Sequence, residues 1–279
     1  MDYQDFTTLR VDVVAGVARV TFDHGSINLM DTAMLADLDR VGRMLEEDPA
    51  VKVVILQSAN PDFFIAHGDV SAIQDLPARP ASREQKLCDV HAILDRFRTM
   101  PKATIAKIEG RCRGGGSELA LACDMRFAAI GRAFLCQPEV GVGIIPGAGG
   151  SARLPRLVGR GRALEIILGC ADFNAQTAER YGWINRALPA TEIDYFVNAL
   201  AIRIAGFPAA TLAQAKQMVD ATDRTIEDDL ALEERLFLQS ANSAGAKTRI
   251  AAAIGGGMQT RDMEMCCFTH IWEPMAGLQ

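Results

Sequence analysis

Between residues 10 and 190, short apolar or β-branched runs alternate with stretches of helical period, and from Glu192 onward only the helical period remains. Val17–Phe22 (VARVTF) alternates in the manner of a strand, and the β-branched run Val51–Gln57 reads as a buried one. Thr104–Ile108, Met125–Ala129 and Ile184–Leu188 read the same way. Between them, Asp31 is placed to N-cap a helix of about four turns. Further helices are expected at Arg83–Arg98, Glu118–Cys123, Gly161–Leu168 and Ala175–Gly182. Such alternation specifies an α/β fold with a largely parallel sheet joined by crossovers. The later helices, Ile193–Ala205, Ala209–Asp220, Ile226–Ser240 and Ala246–Ile254, are broken by Gly206-Phe207-Pro208 and Gly255-Gly256-Gly257. The expected division is an α/β core over residues 1–190 that carries the active site and a helical region over 191–279. The second part is too thin to form a large core alone, so it is expected to cover the first part or a neighbouring subunit.

Composition narrows the function classes. The chain has 279 residues, 49% hydrophobic and 23% charged, which is a globular balance. A net charge of −6 disfavours a phosphate-backbone partner, so no nucleic acid is expected. No apolar run reaches the roughly 18 residues of a membrane span, and the start MDYQDFTTLRVD lacks the basic and apolar regions of a signal peptide. No membrane association is expected. Seven cysteines (88, 112, 123, 136, 170, 266, 267) are odd in number and form no CxxC pair. They read as buried thiols of a reducing cytoplasm, with Cys266 and Cys267 at a surface or interface. The four histidines (24, 67, 91, 270) form no ligand-spaced cluster, so no metal site is expected.

Three stretches carry the chemistry. Gly110–Asp124, GRCRGGGSELALACD, runs three glycines into Glu118 at the mouth of a helix. Phe63–Ile73, FFIAHGDVSAI, has the same grammar: a strand end, a small-residue turn and Asp69 placed to cap a helix. Gln137–Arg153, QPEVGVGIIPGAGGSAR, sets Glu139 before a glycine-rich loop and another helix. Glycine allows close backbone approach, and a helix start presents unspent N–H groups with the positive end of the dipole, a combination that can bind a negatively charged oxygen; the alternatives are a tight turn with Glu118 satisfying the helix dipole and an ordinary strand–turn–helix corner at Asp69. Gly141, Gly143 and Gly147 are spaced GxGxxxG rather than GxGxxG, and no acidic residue follows a second strand at the right distance, which excludes a dinucleotide fingerprint.

Together these stretches resemble the crotonase superfamily, the enoyl-CoA hydratase/isomerase family, from about residue 10 to about residue 240. AHGD sits where the family usually has Ala-Gly-x-Asp, GGGSELALACDMRFA looks like its Gly-Gly-Gly-x-Glu helix, QPEVGVGIIPGAGGSARLPRLVGRGRALEIIL is close to its most distinctive line, and Asn28 in INLMD resembles its amino-terminal asparagine. The resemblance implies a crotonase-like spiral of ββα units with a helical carboxy-terminal region. It implies an acyl-CoA thioester substrate, with coenzyme A as part of the substrate and no separate cofactor. The backbone amides of Gly68 and Gly115 would hold the thioester oxygen as it gains charge. Glu118 would be the base that holds a water, and Glu139 the acid that protonates C2. Ala66, His67, Asp69, Gly114 and Arg113 would lie beside the substrate. Having both acids favours hydration of a 2-enoyl-CoA over isomerisation, since one proton must be removed and one supplied. Double-bond isomerisation, thioester hydrolysis and acyl-CoA binding without turnover stay open. The family also implies a homotrimer or dimer of trimers, in the cytoplasm.

The sequence departs from the family in places. His67 stands where glycine is usual, and either packs away from the site or contacts the thioester or coenzyme A. Arg113 replaces a small residue and either binds a phosphate or carboxylate of the substrate or is solvated. Arg153, Arg156, Arg160 and Arg162 read as a solvated face or subunit contact. The tail lacks the family's basic segment, and Phe268, Ile271 and Trp272 are expected to anchor an interface. Leu76–Arg98 is a candidate lining for the acyl pocket.

Overall fold

Leu9–Val14 (β1) and Val17–Phe22 (β2) pair as an antiparallel hairpin. In the computed structural model, which describes residues 1–73, 89–223, 225–268 and 271–272, the hairpin starts a sheet that continues in parallel. Helix α1 (Thr32–Glu47) follows, its first turn capped by the Asp31 carboxylate, which accepts from Met34 N. Met34, Leu38, Val41 and Leu45 recur at helical spacing and are all buried. The chain then passes through β3 (Val53–Ser58), β4 (Phe63–Ile65), the single turn α2 (Val70–Ile73), α3 (Asp89–Thr99), β5 (Ala103–Ile108), β6 (Arg111–Arg113) and α4 (Gly115–Ala122). Next come β7 (Met125–Ile130), β8 (Phe134–Cys136), a 3-10 turn at Glu139–Val142, α5 (Gly150–Val158), α6 (Arg160–Gly169), β9 (Phe173–Asn174), α7 (Ala175–Tyr181) and β10 (Arg186–Pro189).

Two sheets result. The larger runs β1-β2-β3-β5-β7-β10, the smaller β4-β6-β8-β9. The repeat that builds both is plain: each of β3, β5 and β7 in the large sheet is followed by a three-residue strand in the small sheet, then by a helix or helical turn. This is the spiral of ββα units. β4, β6 and β8 lie side by side in parallel, so whatever follows each of them emerges at one edge. The three glycine-rich stretches follow these three strands.

The inner strands β3, β5 and β7 are largely buried on both faces, as a parallel sheet requires. Val53 and Ile55 of β3 face one layer, and Val54 and Leu56 face the main core with Phe64, Leu94, Phe97 and Leu119. The first layer is closed by α8 (Ile193–Ala205), which sets Ile193, Val197, Ala201 and Ala205 against Val17, Ile105 and Phe127. Helix α9 (Ala209–Asp220) buries no residue. Helices α10 (Ile226–Ala241) and α11 (Ala244–Gly255) pack with the 3-10 turn and the last described residues. Among the described residues, no single helix is long and apolar enough to cross a membrane.

Two expectations are corrected here. Phe268 and Ile271 turn inward, packing with Val142, Ile250 and Met258 of their own chain, and the Trp272 ring covers Gly141, where a Cβ would lie 2.8 Å from it. Phe268 and Ile271 are thereby buried within the chain, while Trp272 stays partly exposed. Arg153 is also interior, 2.8 Å from Asp95, because the carboxylate balances its buried charge. Arg156 pairs with Asp223 and Asp229, and Arg162 stacks on Tyr181. Cys112, Cys123, Cys136 and Cys170 are buried and Cys266 is exposed. Cys88 and His270 lie outside the described residues, as does most of Leu76–Arg98.

Candidate active site

The first turn begins where β4 ends. Met30 N–H donates to His67 O (2.9 Å) and Asp69 N–H to Met30 O (3.0 Å), so this bridge passes over the amide of Gly68 and leaves it unspent among the described residues. Asn28 sets the incoming chain: its Nδ2 donates to Ser58 Oγ (2.8 Å) and Phe64 O (3.2 Å), and its own φ of 51° lies in the left-handed region. Asp69 Oδ1 accepts from Ser71 N (2.9 Å) and starts α2, as its position suggests.

The second turn follows β6. Gly114 has φ 46°, and a Cβ there would lie 3.0 Å from Glu139 Oε1 and 3.1 Å from His67 Cβ, so a side chain is excluded twice over. Gly115 is the first residue of α4 and has no carbonyl one turn back in its helix to receive its N–H. A Cβ on Gly115 would stand 3.4 Å from Gly68 N. The two turns are therefore in contact, and both glycines border a cavity of about 450 Å³.

Glu118, one turn into α4, is 3% exposed and enters the same cavity. Its Oε1 accepts from the amides of Ala148 (2.8 Å) and Gly150 (2.9 Å), where α5 begins. Burial, and then the charge of Glu233, push its pKa up to about 7, although the two amides favour the carboxylate. Glu139 opens the 3-10 turn after β8. Burial, then the proximity of Glu118, push its pKa well up, and its buried Oε2 has no hydrogen-bond partner among the described residues. Glu118 thus takes two amides from the start of α5 that stabilise its ionised form, whereas the amide that favours the Glu139 carboxylate is its own. The remaining wall is largely apolar, with Met30, Leu35, Val70, Val142, Phe237 and Met258. Among the described residues of the anticipated acyl lining, Asp89 and Val90 reach it.

The other expected substrate contacts divide. His67 and Asp69 border the cavity. Ala66 does not: it packs with Ile27 and Phe63, and its N–H is spent on Ile27 O. Gly114 stands behind the wall against Glu139. Arg113 requires correction. It is 1% exposed, and its guanidinium is occupied by Asp172 (2.8 and 2.6 Å) and Glu264 (3.1 Å), with the Phe268 ring 4.0 Å away. A guanidinium so surrounded is neither solvated nor presented to a ligand.

Two buried acids escaped the reading of the sequence. Glu233 Oε1 accepts from Gly149 N (2.5 Å) and faces His91 Nε2 (3.1 Å), and its Oε2 accepts from Ala152 N (2.7 Å). Its signal was its place on the apolar face of α10, at helical spacing from Ile226 and Leu230. Glu264 faces His67 Nε2 at 2.9 Å. Its signal was the presence of two unusual basic residues, His67 and Arg113, at interior turns.

Comparison with known proteins agrees with this geometry. The profile of the enoyl-CoA hydratase/isomerase family matches residues 12–258. The chain is 30% identical over 240 residues to the short-chain-enoyl-CoA hydratase of Clostridium acetobutylicum, covering 85% of this chain and 91% of that one. It is 35% identical over 179 residues to the crotonyl-CoA hydratase of Syntrophomonas wolfei, covering 64% and 68%. A crystal structure from Streptomyces avermitilis, classed provisionally as an enoyl-CoA hydratase, superposes with a TM-score of 0.89 at 36% identity, covering 98% of this chain and 99% of that one. The chain belongs to the enoyl-CoA hydratase/isomerase family, an acyl-CoA-directed family of the crotonase superfamily.

Proposed function

We propose that this protein hydrates a 2-enoyl-CoA, adding water across C2=C3, with coenzyme A entering as part of the substrate. The observation that carries the reading is one apolar cavity bordered by two adjacent unspent amides and two carboxyls of unlike surroundings. Seated with its thioester oxygen at Gly68 N and Gly115 N, the acyl chain would extend between Glu118 and Glu139. Glu118, held by two amides, takes a proton from water as its oxygen bonds to C3. The C2=C3 electrons move toward the thioester, whose oxygen becomes the enolate held by the two N–H groups. Glu139, kept protonated by its setting, delivers its proton to C2. One proton is taken and one is given, so the site resets by a single proton returning from Glu118 to Glu139.

Electrostatic holding of the enolate is expected to be the largest contribution, since loss of one such donor typically costs about a hundred- to thousandfold in rate. The test is loss of conjugated-thioester absorbance across a panel of enoyl-CoA thioesters. Glu118→Gln and Glu139→Gln should each abolish hydration of crotonyl-CoA. Full activity in either variant would remove that residue from the mechanism.

The reading extends to a trimer or dimer of trimers in the cytoplasm. Support for assembly is the apolar surface of α8 and α9, where Tyr195, Ile202, Met218 and Val219 are all exposed. Support for a reducing compartment is the set of buried thiols, whose pKa values burial pushes up, to about 12 at Cys123 and about 11 at Cys170.

A further inference from the structure

We propose that Glu264 is a positioning residue for the thioester-binding turns, tying both of them to a single buried carboxylate. The inference rests on the amides of Gly68 and Gly115 being the oxyanion donors. Glu264 is fully buried in the short helical turn Met263–Cys267, far from either glycine in sequence. Its Oε1 lies 2.9 Å from His67 Nε2 and accepts from Gln259 N at 3.1 Å. Its Oε2 accepts from Arg113 Nη1 at 3.1 Å, and its backbone carbonyl accepts from the same nitrogen at 3.0 Å.

Each partner is next to a donor. The N–H of Gly68 belongs to the peptide that His67 forms with it, and His67 Nδ1 lies 2.7 Å from Gly68 O. The ring is thereby fixed at both ends, one on the turn and one on Glu264. Gly68 O and Glu264 Oε1 are both acceptors, so both contacts are hydrogen bonds only when each ring nitrogen carries its hydrogen. Arg113 closes β6 two residues before Gly115, and its other face is held in two contacts by Asp172. Burial pushes the Glu264 carboxyl up, but His67 and Arg113 outweigh it and hold the group below the ordinary carboxylate range.

The physical consequence is rigidity where small errors matter. Two separate chain turns must present N–H groups to one oxygen, and a displacement of about 1 Å can cost about a hundredfold in rate. A carboxylate bonded to both turns fixes their separation more firmly than apolar packing, since charge-assisted hydrogen bonds are short and directional. The two departures from the family pattern, His67 and Arg113, are then parts of one device whose third part is the altered tail.

The test is the carbonyl stretch of [1-13C]butyryl-CoA, a saturated thioester that cannot be hydrated, bound to wild type and to Glu264→Gln, alongside crotonyl-CoA kinetics. The wild-type stretch should fall on binding. In Glu264→Gln it should return toward the free value, with kcat down about ten- to hundredfold and KM within about threefold. A merely structural Glu264 would lower thermal stability yet leave the stretch and kcat unchanged, which would overturn the proposal. Should Glu264→Gln not fold, Glu264→Asp, which keeps the charge but withdraws it by one methylene, is read by the same two outcomes. No shift in wild type would overturn the oxyanion reading itself. A wild-type shift that survives in the variant would overturn only the clamp.

Discussion

Glu118 and Glu139 are carboxylic acids whose folded environment favours the protonated form. The sign for stability follows. A carboxyl with a raised folded pKa binds its proton more tightly when folded, so its contribution is complete below the unfolded value of about 4.3. That contribution is lost as pH climbs through the folded value, about 7 for Glu118. Stability should therefore fall from pH 5 to pH 8 on account of this pair, and Glu118→Gln should lessen the fall. Thermal unfolding of both proteins at the two pH values checks this, and parallel curves would contradict it. Activity has the opposite dependence on Glu118, because a base must be ionised. The rate of hydration, kcat/KM, should rise on an acid limb near pH 7, and fall at higher pH as Glu139 loses its proton. At this scale the sequence was informative wherever the cavity wall is local: Gly68, Gly115, Glu118 and Glu139, which all border the cavity, each sit in or beside a turn that contains glycine. Glu233 and Glu264 are not local. They meet their histidines across 142 and 197 residues, and no period or motif encodes such a meeting.

Helix α5 begins in the site, and its start is shared by two acids from different elements, Glu118 of α4 and Glu233 of α10. The Glu233 charge is the second cause of the raised Glu118 pKa, after burial. Glu233→Gln should therefore move the acid limb of the kcat/KM profile to lower pH. An unmoved limb would separate the two carboxylates. Packing of α4 on β4 gives a second expectation at this scale. A Cβ at Gly116 would lie 2.6 Å from Ile65 O, a backbone atom that cannot swing aside. Gly116→Ala should cost about 1–3 kcal/mol by overpacking, measured as a shift in urea midpoint. The elements most plainly written in the sequence were the long ones, such as α1 and the helices from α8 onward, where several turns of period accumulate. β4, β6 and β8 span three residues each, too few for an alternation to register, and yet they align the site.

At the scale of the whole molecule, several large apolar side chains stand exposed on α8 and α9, with Tyr195, Met218 and Val219 more than half exposed. If this surface joins subunits, replacing Met218 and Val219 together by glutamate should yield a smaller species in light scattering at equal concentration. An unchanged mass would place the contact elsewhere. The α/β class and parallel sheet could be read from the alternation of periods, whereas the inward turn of Phe268 and Ile271 could not, because apolar residues near a chain end suit an interface and an interior equally well. The spiral itself has a further consequence. The thioester cradle proposed above is made of main chain, which mutation of side chains edits only indirectly, while the acids proposed to move protons are ordinary replaceable residues. A lineage descended from this chain can therefore exchange its acids and change the reaction without surrendering its hold on the acyl group.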